Sequence, residues 1–290
     1  MIRKVLIANR GEIACRIAAT CRKLGIISVA VYSEADRDAL HVRSCDEAVL
    51  IGPSDAAQSY LLPDRLVAAA RETGADAIHP GYGFLAENPD LARRCAEAGI
   101  VFIGPKPEAI VAMGSKLQAR RIASEHGIPT VPGYDGADQS DEALAAAAQR
   151  VGFPLLIKAS AGGGGKGIRI VDDAEGFATA LDLVRRESTA AFADSSVLLE
   201  RFIPAGRHIE VQVFGDTHGN LVHLFDRECS LQRRHQKVFE EAPAPLLPAA
   251  LRLRLLENSV RLAKAIDYSS LGTVEFLYDP QSGDCYFLEM

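Results

Sequence analysis

Short apolar runs recur through the first part of the chain, at Val5–Ala8, Val29–Tyr32, Ala48–Ile51, Ala77–His79 and Val101–Ile103. Between most of them apolar positions return with helical spacing, over Glu12–Leu24, Pro63–Thr73 and Asn88–Ala98. Strand and helix alternating in this way predict an open parallel sheet with crossover helices. Past Gly104-Pro105-Lys106-Pro107 the rhythm changes. Helical stretches at Glu108–Met113 and Lys116–His126 lead into β, helix, β, glycine loop, β, helix, β between Val131 and Ile203, with helices over Asp141–Arg150 and Ala174–Arg186. That order predicts a small α+β lid above a larger body. The tail alternates with period two: Ile209, Val211 and Val213 against Glu210, Gln212 and Phe214, then a turn at Asp216–Asn220 and a return strand over Leu221–Phe225. A helix over Leu251–Ile266 precedes a last pair of strands, Gly272–Asp279 and Cys285–Glu289.

Composition narrows the class of protein. A chain of 290 residues, 48% hydrophobic and 24% charged, is long enough for two globular domains. The net charge of −6 argues against a nucleic-acid binder while leaving room for local basic pockets. Six cysteines without a C-x-x-C pair point to reduced thiols rather than zinc or disulfides. Val5–Ala8 is too short for the core of a signal peptide, and no stretch reaches the length that spans a bilayer. The expectation is a soluble, cytoplasmic protein with no membrane and no nucleic-acid partner.

The chemistry centres on Lys158-Ala-Ser-Ala-Gly162-Gly163-Gly164-Gly165-Lys166-Gly167-Ile-Arg169, which joins two apolar strands. Glycine amides can converge on one point because no Cβ blocks them, and with Lys158, Lys166 and Arg169 at the lips they form a candidate polyphosphate cradle. The alternative is a mobile linker. It is not a P-loop, since Gly165-Lys166-Gly167 opens a strand and not a helix. The first strand's turn, Asn9-Arg10-Gly11-Glu12, has one glycine where a dinucleotide fingerprint needs three, which excludes hydride transfer. His79–Asn88 reads either as a glycine turn capped by Asn88 or as a ligand loop presenting Tyr82. Lys116 near a helix start makes sense with an anion before it, or as a solvated lysine. The basic run Arg227–Lys237 invites an anion, because Cys229, Leu231 and Val238 frame it with residues of buried type. In the final hairpin, pairing Asp279 with Cys285 would set Leu277 opposite Phe287 and Glu275 opposite Glu289, about 5 Å apart. Two carboxylates so placed need a shared proton or a cation, and with phosphates nearby Mg²⁺ suits them best.

With these residues in view, the whole chain resembles the N-terminal part of biotin carboxylase, of the ATP-grasp superfamily. The likeness rests on Ile7–Ala14, Ala35-Asp-Arg-Asp38, His79–Asn88, Lys158–Arg169, Gln232-Arg-Arg-His-Gln-Lys237 with Glu240-Glu-Ala-Pro-Ala-Pro245, and Phe287-Leu-Glu-Met290. Ala161–Lys166 and Phe214–Asn220 resemble the α subunits of acyl-CoA carboxylases. The resemblance implies an α/β fold: a Rossmann-like pre-ATP-grasp domain over 1–113, linker helices and the ATP-grasp lid over 114–203, and the first part of a truncated central domain over 204–290. It implies ATP- and Mg²⁺- (or Mn²⁺-) dependent phosphorylation of bicarbonate to carboxyphosphate, then transfer of CO₂ to biotin on a carrier protein or domain. Lys116, Lys158 and the amides of Gly163, Gly164 and Gly165 would hold phosphates. Glu200, Arg201, Phe202 and Ile203 would bind at the adenine, and His208, Gln232 and His235 would line the nucleotide pocket. Lys237 would grip bicarbonate or carboxyphosphate beside His235, Glu275 and Glu289 would hold the metal, and Tyr82 would lie beside biotin. Implied partners are the biotin carboxyl carrier and a carboxyltransferase subunit, within an oligomer.

The family continues after Glu-Met with an Asn-x-Arg-x-Gln-Val-Glu stretch, whereas this sequence stops at Met290. The expectation is therefore that the 290 residues alone bind nucleotide weakly and do not carboxylate biotin, and that the last hairpin leaves an exposed edge. Two other readings stand beside this one. A different ATP-grasp ligase, of carbamoyl phosphate synthase or carboxylate–amine type, would share the lid and the glutamates; a non-catalytic nucleotide-binding or docking module would turn nothing over.

Overall fold

The computed structural model describes residues 1–160, 167–192, 194–233 and 236–290, in two compact units, Met1–Val111 and Ala112–Met290. Gly163, Gly164, Gly165 and His235 lie outside the described residues.

The first unit contains β1 (Lys4–Ile7), α1 (Gly11–Lys23), β2 (Ile27–Ser33), α2 (Leu40–Ser44), β3 (Glu47–Gly52), α3 (Pro63–Thr73), β4 (Ala77–His79), α4 (Pro89–Glu97) and β5 (Val101–Phe102). Its strands are all parallel, in the order β3-β2-β1-β4-β5. A parallel sheet buried on both faces demands continuous apolar strands. Along β1, Leu6 enters one core with Leu66 and Leu91, while Val5 and Ile7 enter the other with Ala14 and Ile17. α3 starts on Pro63 and stops at Gly74, whose φ of 66° closes the helix in the left-handed region. Asn88 caps α4 as expected, its side chain accepting from Asp90 N at 2.8 Å. The short α2 has too few turns to show a period and was not predicted.

α5 (Pro107–Gly114) carries the chain out of this unit, and α6 (Lys116–Glu125) follows. An antiparallel lid sheet comes next, in the order β6-β9-β7-β8, from β6 (Gly133–Tyr134), β7 (Leu155–Ala159), β8 (Ile168–Val171) and β9 (Val197–Arg201). α7 (Asp141–Val151) and α8 (Ala174–Phe192) supply Leu144, Phe177 and Leu181 to its core. Body strands β10 (Arg207–Gly215) and β11 (Leu221–Glu228) precede a small ladder, β12 (Gln232–Arg233) with β13 (Gln236–Lys237). α9 (Ala249–Ala265), β14 (Ser270–Tyr278) and β15 (Cys285–Glu289) complete the chain. The body sheet runs β11-β10-β14-β15, all antiparallel. Ile209, Val211, Val213, Val274 and Phe276 pack with Leu251, Leu255 and Leu262 of α9. Period two then leaves His208, Glu210, Gln212 and Glu275 on the opposite face.

The last hairpin corrects the predicted register. Asp279 does not pair with Cys285, nor Leu277 with Phe287; Tyr278 faces Cys285, Leu277 faces Tyr286 and Phe276 faces Phe287. Asp279 is spent on the turn, its N–H donating to Asp284 O at 2.9 Å and its side chain accepting from Gln281 N at 2.9 Å. The ladder then shifts between Glu275 and Phe276, so that Glu275 does lie opposite Glu289. Strict alternation from Phe287 would send Glu289 to the core face; the bulge re-aims it. β15 is an edge strand, touched on its far side at Phe287, whose N–H donates to Pro129 O at 2.7 Å.

Candidate functional site

Three neighbouring strands place three glutamates in one row: Glu210 on β10 faces Glu275 on β14, which faces Glu289 on β15. Adjacent strands lie about 4.8 Å apart, and like charges directly opposite repel. Cations from the hairpin beside them offset part of that repulsion. Arg227 Nη2 lies 2.6 Å from Glu210 Oε2, and Nη1 reaches Glu240 at 3.0 Å. Lys237 Nζ lies 2.6 Å from Glu275 Oε1 and also pairs with Glu210, which is fully buried. His208 Nε2 is 2.8 Å from Glu275 Oε2.

Each group's proton affinity records these neighbours. Burial alone would lower the Lys237 pKa, but hydrogen bonds to Glu210 and Glu275 raise it. Burial would raise that of Glu275, and His208 with Lys237 outweighs it, so Glu275 falls below its ordinary value. Glu289 moves the other way. Burial and then the charge of Glu275 raise its pKa, against the pull of Lys116, Lys158 and Lys237. Glu289 is thus within electrostatic reach of Glu275 and of all three lysines assigned to anions.

The lid side is equally charged. Lys158, on β7, pairs with Glu200 Oε2, while Arg120 Nη1 lies 2.7 Å from Glu200 Oε1 and Arg120 Nη2 donates to Val131 O at 2.9 Å. Glu200 is buried, with both oxygens engaged by cations. Beyond it, Arg201 reaches Tyr286 Oη at 3.0 Å, Phe202 N donates to Pro154 O at 3.1 Å, and Ile203 is buried with Val131 and Tyr286. Lys116 opens α6 behind the N-cap Ser115, its backbone N–H reaching Ser160 O at 3.4 Å. Gln232 Nε2 lies 3.0 Å from His208 Nδ1.

Tyr82 belongs to the first unit, where it is 61% exposed and hydrogen-bonded to Glu12. Its turn is tied to the first strand's loop by Asn9, whose side-chain amide donates to Pro80 O at 2.8 Å and Tyr82 O at 2.7 Å. Gly81 has a φ of 67°, and a Cβ there would lie 2.8 Å from that amide nitrogen. Glycine is therefore required on two counts.

Sequence reasoning missed Glu210 and Arg120. Alternation along β10 set Glu210 beside Gln212 on the polar-leaning face, but only the β10–β14 register aligns it with Glu275. Nothing in the pattern of α6 marks Arg120, because its partners come from β9 and from the segments on either side of β6. Among the described residues no helix is long and apolar enough to cross a membrane.

Residues 1–110 match the family model of the biotin carboxylase N-terminal domain, and residues 115–290 match that of the carbamoyl-phosphate synthase L chain ATP binding domain. The chain is 55% identical over 289 residues to the mitochondrial methylcrotonoyl-CoA carboxylase subunit alpha of Oryza sativa subsp. japonica, covering 100% of this chain and 39% of that protein. It superposes on a biotin carboxylase–β,γ-ATP complex from Campylobacter jejuni with a TM-score of 0.97 at 45% identity, covering 100% of this chain and 65% of the other. The biotin carboxylase domain of 2-oxoglutarate carboxylase from Hydrogenobacter thermophilus, a dimer solved with MgADP, ADP and bicarbonate, gives 0.95 at 47% identity over 100% and 64%. The chain thus spans less than two thirds of the relatives it matches. With both of its regions matched and its fold shared across its whole length, the chain belongs to the biotin carboxylase family of ATP-grasp proteins, homologous to the α subunits of acyl-CoA carboxylases.

Proposed function

We propose that this chain carries the nucleotide- and metal-handling part of a biotin carboxylase that uses ATP, Mg²⁺ and bicarbonate to carboxylate carrier-bound biotin. The observation that carries this reading is the carboxylate row Glu210–Glu275–Glu289, with Lys237 seated in it and Lys116 and Lys158 within electrostatic reach. Phosphoryl transfer asks for positioning and charge neutralisation, and these residues supply both. Glu275 and Glu289 would hold the metal; a divalent ion there neutralises charge developing on the transferred phosphoryl group. Their oxygen donors suit Mg²⁺, and the raised proton affinity of Glu289 reflects a demand for positive charge that the lysines meet only in part.

In this reading Lys158 leaves Glu200 for the phosphates, and Arg120 stays to neutralise Glu200. The glycine amides of 163–165 close over the nucleotide, His235 lines it, and Lys237 grips the bicarbonate-derived anion. Residues 1–113 form the pre-ATP-grasp domain with Tyr82 on the biotin side, 114–203 the linker helices and lid, and 204–290 the first part of the central domain. The carrier and carboxyltransferase are the partners, in an oligomer. Six free thiols fit a cytoplasmic location.

Calorimetric titration with ADP and Mg²⁺ tests the site. Binding that weakens about tenfold or more in Lys158→Ala and in Glu275→Gln supports the reading, and binding unchanged in both rejects it. A second ligase reading, of carbamoyl-phosphate synthase type, draws on the family match of residues 115–290. Stimulation of bicarbonate-dependent ATP hydrolysis by free biotin, in the enzyme carrying these residues, separates the two.

A further inference from the structure

Asn9, in the turn between β1 and α1, and Glu12, in the first turn of α1, both reach across to the loop that carries Tyr82. Asn9 is buried. Its Oδ1 accepts from Arg10 N at 2.9 Å, while its Nδ2 donates to Pro80 O and Tyr82 O. All three partners agree on which end of the amide is nitrogen, so Asn9 joins the two loops in one orientation.

The loop is gripped again two residues beyond Tyr82. Phe84 has a φ of 44°, a conformation that a bulky L-residue keeps only where its surroundings impose it. Its ring stacks on Tyr60, with centroids 5.1 Å apart and planes 3° apart. The Arg10 guanidinium lies 5.7 Å from the Tyr60 centroid and 5.8 Å from that of Phe84. Tyr60 is fixed in turn, buried and with its hydroxyl donating to Asp36 Oδ2 at 2.7 Å. Between these two grips the backbone at Tyr82 is held while its side chain stays exposed.

The Tyr82 hydroxyl donates to Glu12 Oε1. A carboxylate can only accept, and a hydroxyl has one proton to give. The same contact pushes the phenol's pKa above its ordinary value. With its proton committed to Glu12, the Tyr82 oxygen has lone pairs left and nothing to donate, and the neighbouring charge polarises it into a stronger acceptor.

We propose that Glu12 is a positioning residue for Tyr82: it takes the hydroxyl's proton and so presents the Tyr82 oxygen as an acceptor to an N–H of the ligand. This rests on the reading that puts Tyr82 on the biotin side, and it names the contact. Biotin's ureido group offers N–H donors on either side of a carbonyl acceptor, and the nitrogen that is not carboxylated keeps its proton. An acceptor that cannot donate matches that N–H and repels the carbonyl, so the pair Glu12–Tyr82 selects which way round the ring lies.

The test uses the enzyme carrying these residues, with free biotin as the probe and bicarbonate-dependent ATP hydrolysis as the readout. Tyr82→Phe and Glu12→Ala are each expected to raise the KM for biotin about tenfold, against a KM for ATP that moves by less than about twofold. Glu12→Gln, whose amide oxygen still accepts, is expected to recover most of the loss. Glu12→Ala combined with Tyr82→Phe is expected to be no worse than Tyr82→Phe alone, because both changes remove one interaction. A Tyr82→Phe enzyme that is impaired toward biotin while Glu12→Ala is not overturns this inference alone, as do losses that add in full or a Glu12→Gln enzyme no better than Glu12→Ala. An enzyme indifferent to biotin, or a Tyr82→Phe variant with the wild-type KM for it, refutes the reading of Tyr82 and this inference with it.

Discussion

Glu289 holds its proton more tightly in the folded chain than an ordinary glutamate does, because it is buried and faces Glu275. A carboxyl shifted that way lowers stability as pH rises from its unfolded value of 4.5 through the higher folded one. Glu275, shifted down, contributes stability that is present above 4.5 and lost as pH falls through its folded value. Glu289→Gln should therefore stabilise the metal-free protein at pH 7, with the gain fading toward pH 4. Added Mg²⁺ should stabilise the wild type and leave the variant unmoved. Urea titrations at the two pH values, with and without Mg²⁺, measure all of this; a variant less stable than wild type at pH 7 would contradict it. The pair Glu275 and Glu289 could be read from the sequence because both lie in one hairpin. Glu210 could not, since a strand register between segments 65 residues apart decides it. The same holds for the grip of Arg120 on Glu200, an approach of residues 80 apart.

Hydrophobic period located the elements well wherever one face was buried. α3 begins and ends as predicted because proline and glycine mark both ends, and the parallel strands stand out as unbroken apolar runs. Period cannot set the register of a turn, and there the prediction slipped by one residue. The Glu275–Glu289 pairing survives because a bulge in β15 restores what the tighter turn displaced. That compensation can be checked with paired cysteines. Glu275→Cys with Glu289→Cys should close an intramolecular disulfide on mild oxidation, whereas Glu275→Cys with Phe287→Cys should not, because Phe287 is fully buried on the other face. Mass spectrometry after alkylation reads both. Equal closure of the two pairs would mean that the bulge is absent in solution.

At the scale of the whole chain, the two units have separate cores, and no residue is shared between those of Met1–Val111 and those of Ala112–Met290. Every ion pair of the carboxylate row and of the lid lies in the second unit. Ligand binding stabilises the state that binds, by about 2.7 kcal/mol at a ligand concentration one hundred times Kd. That energy reaches the amides whose opening breaks the site and bypasses those that open without disturbing it. With ADP and Mg²⁺ at saturation, hydrogen exchange should slow at Leu155–Ala159 and Val197–Arg201 in the lid and at Arg207–Gly215 and Ser270–Tyr278 in the body. Lys4–Ile7 and Ile27–Ser33 of the first sheet should exchange as before. Lys158→Ala should abolish the slowing in the lid and in the body together, because the phosphates it is proposed to hold would link one to the other. Slowing confined to the first unit would place the nucleotide outside the carboxylate row. Slowing of the body alone, unaffected by Lys158→Ala, would mean that the metal binds while the lid takes no part.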